Sequence, residues 1–214
     1  MLDFLNPKRT GVSYFRKRRI ALCYEKIGVK ASSSVLDVGG NGYFWEMARQ
    51  LGLPFPASIT VLNLATEKVD PRCSCNWIVG DATKMPFSDG EFDVVFSNSV
   101  IEHVGTAKQQ AAMASEVRRV GKWYWIQTPD PRFPVEPHYS TPFVHWLPKN
   151  VRRRALPFTV WGLVWHPTEE KIESMLNEIR LIPKGEFKSM FPDASILVER
   201  FAGLPKSLIA FRKN

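Results

Sequence analysis

An apolar, β-branched run ends in an acid, crosses three glycines and continues into a helical pattern: Ser34-Val35-Leu36-Asp37-Val38-Gly39-Gly40-Asn41-Gly42-Tyr43-Phe44. A strand, a glycine-rich turn and a helix in that order let the backbone approach a nucleotide-like ligand closely, because glycine has no Cβ to hold it off. A dinucleotide fingerprint would require G-x-G-x-x-G. Counted from Gly40, the third glycine position is Trp45; counted from Gly39, the second is Asn41. A phosphate-binding P-loop would require a lysine after the glycines, and none follows. The turn therefore suits a ligand without a pyrophosphate.

Strand and helix signals alternate around this stretch. Ser34–Val38 reads as a first strand, Tyr43–Leu51 as a helix ending at Gly52, and Ile59–Leu64 as a second strand. Trp77–Val79, Phe92–Phe96 and Trp123–Gln127 read as three more strands, with a helix over Ala107–Val120. Thr168 caps a helix from Glu169 to about Arg180. Ile196–Phe201 and Ser207–Arg212 read as an antiparallel pair around Gly203-Leu204-Pro205. Upstream, residues 1–12 read as an arm with Pro7 and Gly11, followed by a helix with Ser13 as N-cap and Gly28 as stop, its Arg and Lys residues facing outward. This alternation implies an α/β fold, Rossmann-like and doubly wound, with helices on both faces of a mostly parallel sheet. The 214 residues, 44% hydrophobic, suffice for one domain. Within residues 1–214, the segment 1–30 is a basic arm and helix. The Pro-rich stretch 128–167, which shows no periodicity, is a substrate-side insertion or lid.

Further motifs follow in order. Gly80-Asp81-Ala82 precedes Met85-Pro86-Phe87, and Phe92-Asp93-Val94-Val95-Phe96-Ser97-Asn98 precedes Glu102-His103-Val104. Together with Val35-Leu36-Asp37-Val38-Gly39-Gly40, they make residues 30–130 resemble a class I S-adenosylmethionine-dependent methyltransferase of the type 11 kind. The resemblance implies a seven-stranded sheet with an antiparallel C-terminal hairpin, and S-adenosylmethionine as cofactor. It implies that Gly39, Gly40 and Gly42 admit the donor's amino-acid portion, with Asp37 supporting that end. Asn63, with Leu64 beside it, stands where the family carries an acid for the ribose; its amide can still accept a hydrogen bond. Asp81 and Ala82 would meet the adenine, and Ser97 and Asn98 would border the methionine. The chain departs from the family twice. Its glycines fall two, three and five residues after the acid instead of two, four and six, and Asn63 carries no charge.

Methyl transfer from a sulfonium needs alignment above all, and a hydroxyl acceptor also needs a base for its proton. His138, with Glu136 beside it, lies just beyond the fifth strand, and His103 just beyond the fourth, so these three are the candidate catalytic residues. No metal is expected. Cys73-Ser74-Cys75 has no second pair to close a site, and Glu136, His138 and His145 match no zinc spacing.

Net charge is +8, which suits an anionic partner. Lys8, Arg9 and Arg16 to Arg19 form one basic cluster, and Lys149 with Arg152, Arg153 and Arg154 another. Tryptophans and aliphatics flank the second, a pattern suited to an anionic membrane surface. Pro142-Phe143-Val144-His145-Trp146-Leu147-Pro148 is similar, more loosely, to inserts in methyltransferases of bacterial surface-glycan pathways. The expected reaction is O-methylation of a sugar, lipid-linked glycan or other small molecule by a cytoplasmic enzyme, peripheral at the inner membrane face. No stretch reaches the roughly 18 apolar residues of a membrane span, and Met1–Lys30 lacks the apolar region of a signal peptide. Two other readings remain open: an RNA methyltransferase, and a non-catalytic scaffold that binds the donor. Against an RNA acceptor, the chain has no appended RNA-binding module, and Ser97-Asn98-Ser99-Val100 replaces the motif expected for base N-methylation.

Overall fold

The computed structural model describes residues 11–65, 74–136, 138–139 and 141–213. Residues 1–10 of the expected arm, with Lys8 and Arg9, lie outside the described residues, as do Cys73 and Pro137, whereas residues 11 and 12 of that arm are helical.

Helix α1 spans Gly11–Ile27. It begins before Ser13, which therefore sits inside the helix and is not its N-cap. Arg19 is buried with Ile20, Cys23 and Ile27, contrary to the expectation that every basic residue faces outward. Gly28, at φ 73°, ends the helix as expected, its N–H bonding to the Tyr24 carbonyl.

Strands β1 (Ser34–Val38) and β2 (Ser58–Asn63) pair in parallel, with Val35 opposite Ile59 and Asp37 opposite Val61. Strand β3 (Asn76–Val79) lies beside β2, and β4 (Phe92–Asn98) lies on the other side of β1. Four of the five β1 residues are buried, as a strand covered on both faces requires. Helices α2 (Tyr43–Gln50) and α3 (Ala107–Val120) follow β1 and β4 in the chain, and β5 runs from Gly121 to Pro129. Two short strands, β6 (Val135–Glu136) and β7 (Thr141–Pro142), form a separate antiparallel ribbon. Strands β8 (Ser195–Phe201) and β9 (Leu204–Arg212) complete a seven-stranded sheet of order β3-β2-β1-β4-β5-β9-β8. The order reverses at β1 and β4, the switch point beyond whose carboxyl ends open α/β sheets bind ligands. Ala202 and Gly203, at φ 48° and 81°, turn the β8–β9 hairpin in two residues, so the last strand resumes at Leu204 and takes in Pro205.

The chain divides into two compact units. The first holds residues 1–97, 116–126 and 211–214, and the second residues 98–115 and 127–210. The first is built on Val35, Leu36, Val61, Leu62, Val94 and Val95, all buried. Phe44 stacks against Phe96 at 4.0 Å and Trp45 meets it edge-on at 5.3 Å. The second unit packs Tyr139, Val144, Leu156, Ile172 and Leu176 into one cluster, against which Trp161, Met175 and Ile179 rest.

The aperiodic stretch 128–167 is thus structured. After the β6–β7 ribbon it holds single 3₁₀ turns at Val144–Trp146 and Leu156–Phe158, with helices α4 (Lys149–Ala155) and α5 (Val160–Trp165). Elements of six or seven residues span fewer than two helical turns, so no amphipathic period is legible in them. Helix α6 (Glu169–Glu178) is capped by Thr168, as expected. Helix α7 (Lys184–Met190) starts after Pro183 and carries no such sequence signal. Cys23 is buried and free, whereas Cys75 is disulfide-bonded.

Gly162 holds α5 against the preceding turn. A Cβ there would stand 2.2 Å from the Leu156 carbonyl oxygen and 2.5 Å from that of Pro157. Both are backbone atoms and cannot swing away. Gly162→Ala should open this turn, and limited proteolysis should then cut within residues 155–165 under conditions that leave the parent protein intact.

Candidate active site

The glycine turn closes over a buried acid. Asp37 is 2% exposed, and its Oδ2 accepts a 3.0 Å hydrogen bond from the Trp45 indole. A Cβ at Gly40 would lie 2.1 Å from the same oxygen, so no other residue fits there. Gly39 and Gly42 adopt φ of 73° and 80°, and Gly42 begins α2. Burial raises the Asp37 pKa to about 7, the Trp45 hydrogen bond offsetting only part of that shift.

Asn63 ends β2 and braces this turn. Its Nδ2 donates to the Gly40 carbonyl at 3.1 Å, and its Oδ1 accepts from the Leu64 N–H at 2.8 Å. At position 63 an amide can donate to this carbonyl where a carboxylate cannot. Leu64 is 75% exposed. Asp81 is exposed, with Oδ1 held by the Thr83 N–H, and Ala82 beside it is partly exposed. Ser97 is fully buried, and its hydroxyl donates to the Val38 carbonyl, tying the end of β4 to that of β1. Asn98, the last residue of β4, is half-exposed.

In the second unit, the chain leaving β4 enters a 3₁₀ turn, Ile101–His103. His103 Nε2 lies 3.0 Å from His138 Nε2, and His138 Nδ1 lies 2.5 Å from Glu136 Oε1. Glu136 is 1% exposed and also receives the backbone N–H groups of His138 and Tyr139 through Oε2. The structure thus gathers Glu136, His138 and His103 into a line. Burial disfavours charge on His138, but the hydrogen bond and charge of Glu136 outweigh it and raise the pKa. Partial burial, then the charge of His138, lower the pKa of His103. His145 stands elsewhere, its Nε2 against the Pro131 carbonyl at 3.1 Å. A cleft of about 390 Å³ opens at the histidines, lined also by Trp161, Trp165, Lys171 and Glu178.

Sequence reasoning missed the supports of this line. Glu102 is fully buried; its Oε2 accepts from the Thr128 hydroxyl at 2.9 Å, and burial pushes its pKa up to about 7. Gln110, also fully buried, donates from Nε2 to the Ile101 and Arg180 carbonyls at 3.0 Å each. The Arg180 N–H bonds the Glu102 carbonyl. One signal was present: Gln110 shares a helical stripe with the buried Met113, Ala114 and Val117, where a polar side chain must have a specific partner.

The second basic cluster differs from expectation. Arg152 turns inward and donates to the His145 and Leu147 carbonyls, because those backbone oxygens need partners. Arg153 pairs with Glu169 and Glu173, and Lys149 with Glu173. Arg154 is exposed.

The raised Asp37 pKa has a sign that can be checked. Between pH 4 and 7 the folded protein holds a proton on this group that the unfolded chain releases, so its contribution to stability falls as pH rises and is lost above pH 7. Asp37→Asn should gain stability relative to the parent over that range, reaching on the order of 4 kcal/mol at pH 8. Urea denaturation at pH 3.5 and pH 8 measures the difference.

Residues 36–123 match the family model described as a methyltransferase domain. Phosphoethanolamine N-methyltransferase 1 of Triticum aestivum is 33% identical over 86 residues, covering 37% of this chain and 17% of that protein. The chain thus spans about a sixth of the length of this curated relative. Among solved structures, the PH0226 protein of Pyrococcus horikoshii OT3 superposes with a TM-score of 0.65 at 16% identity, covering 100% of this chain and 96% of the other. The magnesium protoporphyrin IX methyltransferase of Synechocystis PCC 6803, solved with bound SAH, gives 0.56 at 12% identity over 95% of this chain and 84% of the other. Motif order, sheet order and the family match agree: residues 36–123 match a methyltransferase domain, and the sheet has the order of a Rossmann-like fold.

Proposed function

We propose that this protein transfers a methyl group from S-adenosylmethionine to a hydroxyl oxygen of a sugar, lipid-linked glycan or comparable small molecule. The donor's sulfonium supplies the reactive methyl, so the protein has to align it, exclude water and take the acceptor's proton. Gly39, Gly40 and Gly42 leave backbone open to the donor's amino-acid end. Asp37 sits beneath them, its carboxyl near its ionisation point until a cationic amine approaches. Asp81 and Ala82 offer an acceptor and a backbone N–H to the adenine, and Leu64 an apolar face. Asn63 fixes the turn and keeps a second lone pair on Oδ1 for a ribose hydroxyl. Ser97 holds the strand ends together, and Asn98 follows it at the edge of the methionine portion.

The observation that carries the reaction is the line Glu136–His138–His103. Glu136 fixes the His138 ring and raises its proton affinity, as removal of a hydroxyl proton requires. Trp161 and Trp165 in the cleft suit the C–H faces of a sugar ring. They also favour a second reading: two indoles near Glu178 suit a cationic amine, and the wheat relative is named for N-methylation. An RNA acceptor has less support, since Lys149, Arg152 and Arg153 are already engaged within the second unit.

We place the enzyme in the cytoplasm at an anionic inner membrane face, which would bring lipid-linked acceptors to the cleft. Among the described residues no helix is long and apolar enough to cross a membrane. Contact would run through the exposed Phe158, Val160, Leu163 and Trp165, with Arg154 supplying charge.

Incubation with methyl-labelled donor and pools of sugars, lipid-linked sugars and amines tests the reading, with the labelled atom assigned by NMR. Label on oxygen supports it; label only on nitrogen selects the second reading. His138→Ala should lower turnover by about a hundredfold or more while leaving donor affinity unchanged. Asn63→Asp, which restores the family's acid, should nevertheless weaken donor binding by about tenfold in calorimetry, because the bond to Gly40 is lost.

A further inference from the structure

Two imidazole nitrogens 3.0 Å apart, as His103 Nε2 and His138 Nε2 are, cannot both direct lone pairs at each other. Something positive must lie between them, a proton or a cation. Glu102 brings a ligand oxygen to the same place: one carboxylate oxygen and the two imidazole nitrogens all lie within 4.8 Å of one another. Its side chain is fully buried, and its Oε1 has no hydrogen-bond partner. A buried carboxylate oxygen left unpaired is costly, and a metal bond would remove that cost. Glu136 Oε1 takes the Nδ1 side of His138 and so leaves Nε2 as the ligating atom, the carboxylate–histidine pairing that orients metal ligands. The Thr128 hydroxyl steadies the other Glu102 oxygen.

We propose that Glu102, His103 and His138 form a binding site for a divalent cation of the Zn²⁺ type. Two imidazoles and one carboxylate make the donor set of three-ligand zinc sites, with a fourth position open to water or another oxygen ligand. Tetrahedral zinc with bonds of about 2.05 Å places its nitrogen ligands about 3.3 Å apart. From 3.0 Å the two rings need to part by only a few tenths of an ångström. No zinc spacing marks this set along the chain, because two ligands are neighbours and the third lies 35 residues beyond His103. The cation takes the place of the shared proton and occupies the His138 lone pair. It therefore inhibits methyl transfer, a consequence that rests on the proposed function, whereas the binding site does not.

Full-length protein freed of metal with a chelator, then titrated with Zn²⁺ by calorimetry, should bind one ion with micromolar or tighter affinity. Co²⁺ in its place should give visible absorption of the tetrahedral type. His103→Gln, at an exposed position that tolerates change, should weaken Zn²⁺ binding by about tenfold or more, and Glu136→Gln by about tenfold. Absence of one-to-one binding, or binding unaltered in His103→Gln, overturns the site. Zn²⁺ binding with no methyl transfer to any acceptor leaves the site standing and removes the proposed function. Transfer that proceeds unchanged at saturating Zn²⁺ overturns the inhibitory placement.

Discussion

The steric contact between the Asp37 carboxylate and the Gly40 backbone governs the first unit. Placing a carboxylate under a chain reversal leaves no volume for a side chain above it. The turn must then be glycine-rich, must run close to the acid and must be braced from the neighbouring strand. Asn63 supplies the brace, and Ser97 ties β4 to the carbonyl of Val38 one residue before the turn. Trp45, from the first turn of α2, gives the acid its hydrogen bond and packs edge-on against Phe96. Strand ends, turn and helix start are thereby fixed around one buried group.

In the second unit hydrogen bonds set the candidate catalytic side chains beside the apolar cluster. His138 is held toward His103 by Glu136, and the turn that carries His103 is held by Gln110 and Arg180. Buried polar groups of this kind specify geometry only when each has its partner. Among the described residues of this unit, Glu102 Oε1, His145 Nδ1 and Arg152 Nε lack one, and of these Glu102 belongs to the proposed cation site.

The sequence made the parallel half of the sheet legible because strands covered on both faces read as continuous apolar runs, as in Val35-Leu36 and Val94-Val95. The hairpin was legible through the turn at Gly203. Residues 128–167 were not, since α4 and α5 are too short to display a period and the segment packs through single residues such as Leu156, in the turn between them, and Gly162 on α5. The glycines and Asp37 declared themselves by spacing, whereas the role of Asn63 depends on which carbonyl faces it, and only coordinates carry that. The basic run at Lys149–Arg154 misled for a related reason: its partners Glu169 and Glu173 come later in the chain, on α6, and cancel charge that composition counts as free.

Arg180 has no wall of the cleft to itself, yet it joins three elements. Its backbone N–H holds the Glu102 carbonyl, its guanidinium bridges Gln110 on α3 and Glu186 on α7, and it sits two residues beyond α6. Lys171 and Glu178, which border the cleft, belong to α6. The turn that carries His103 and the helix that borders the cleft are thereby tied to one side chain and its backbone, like two beams pinned at a shared joint.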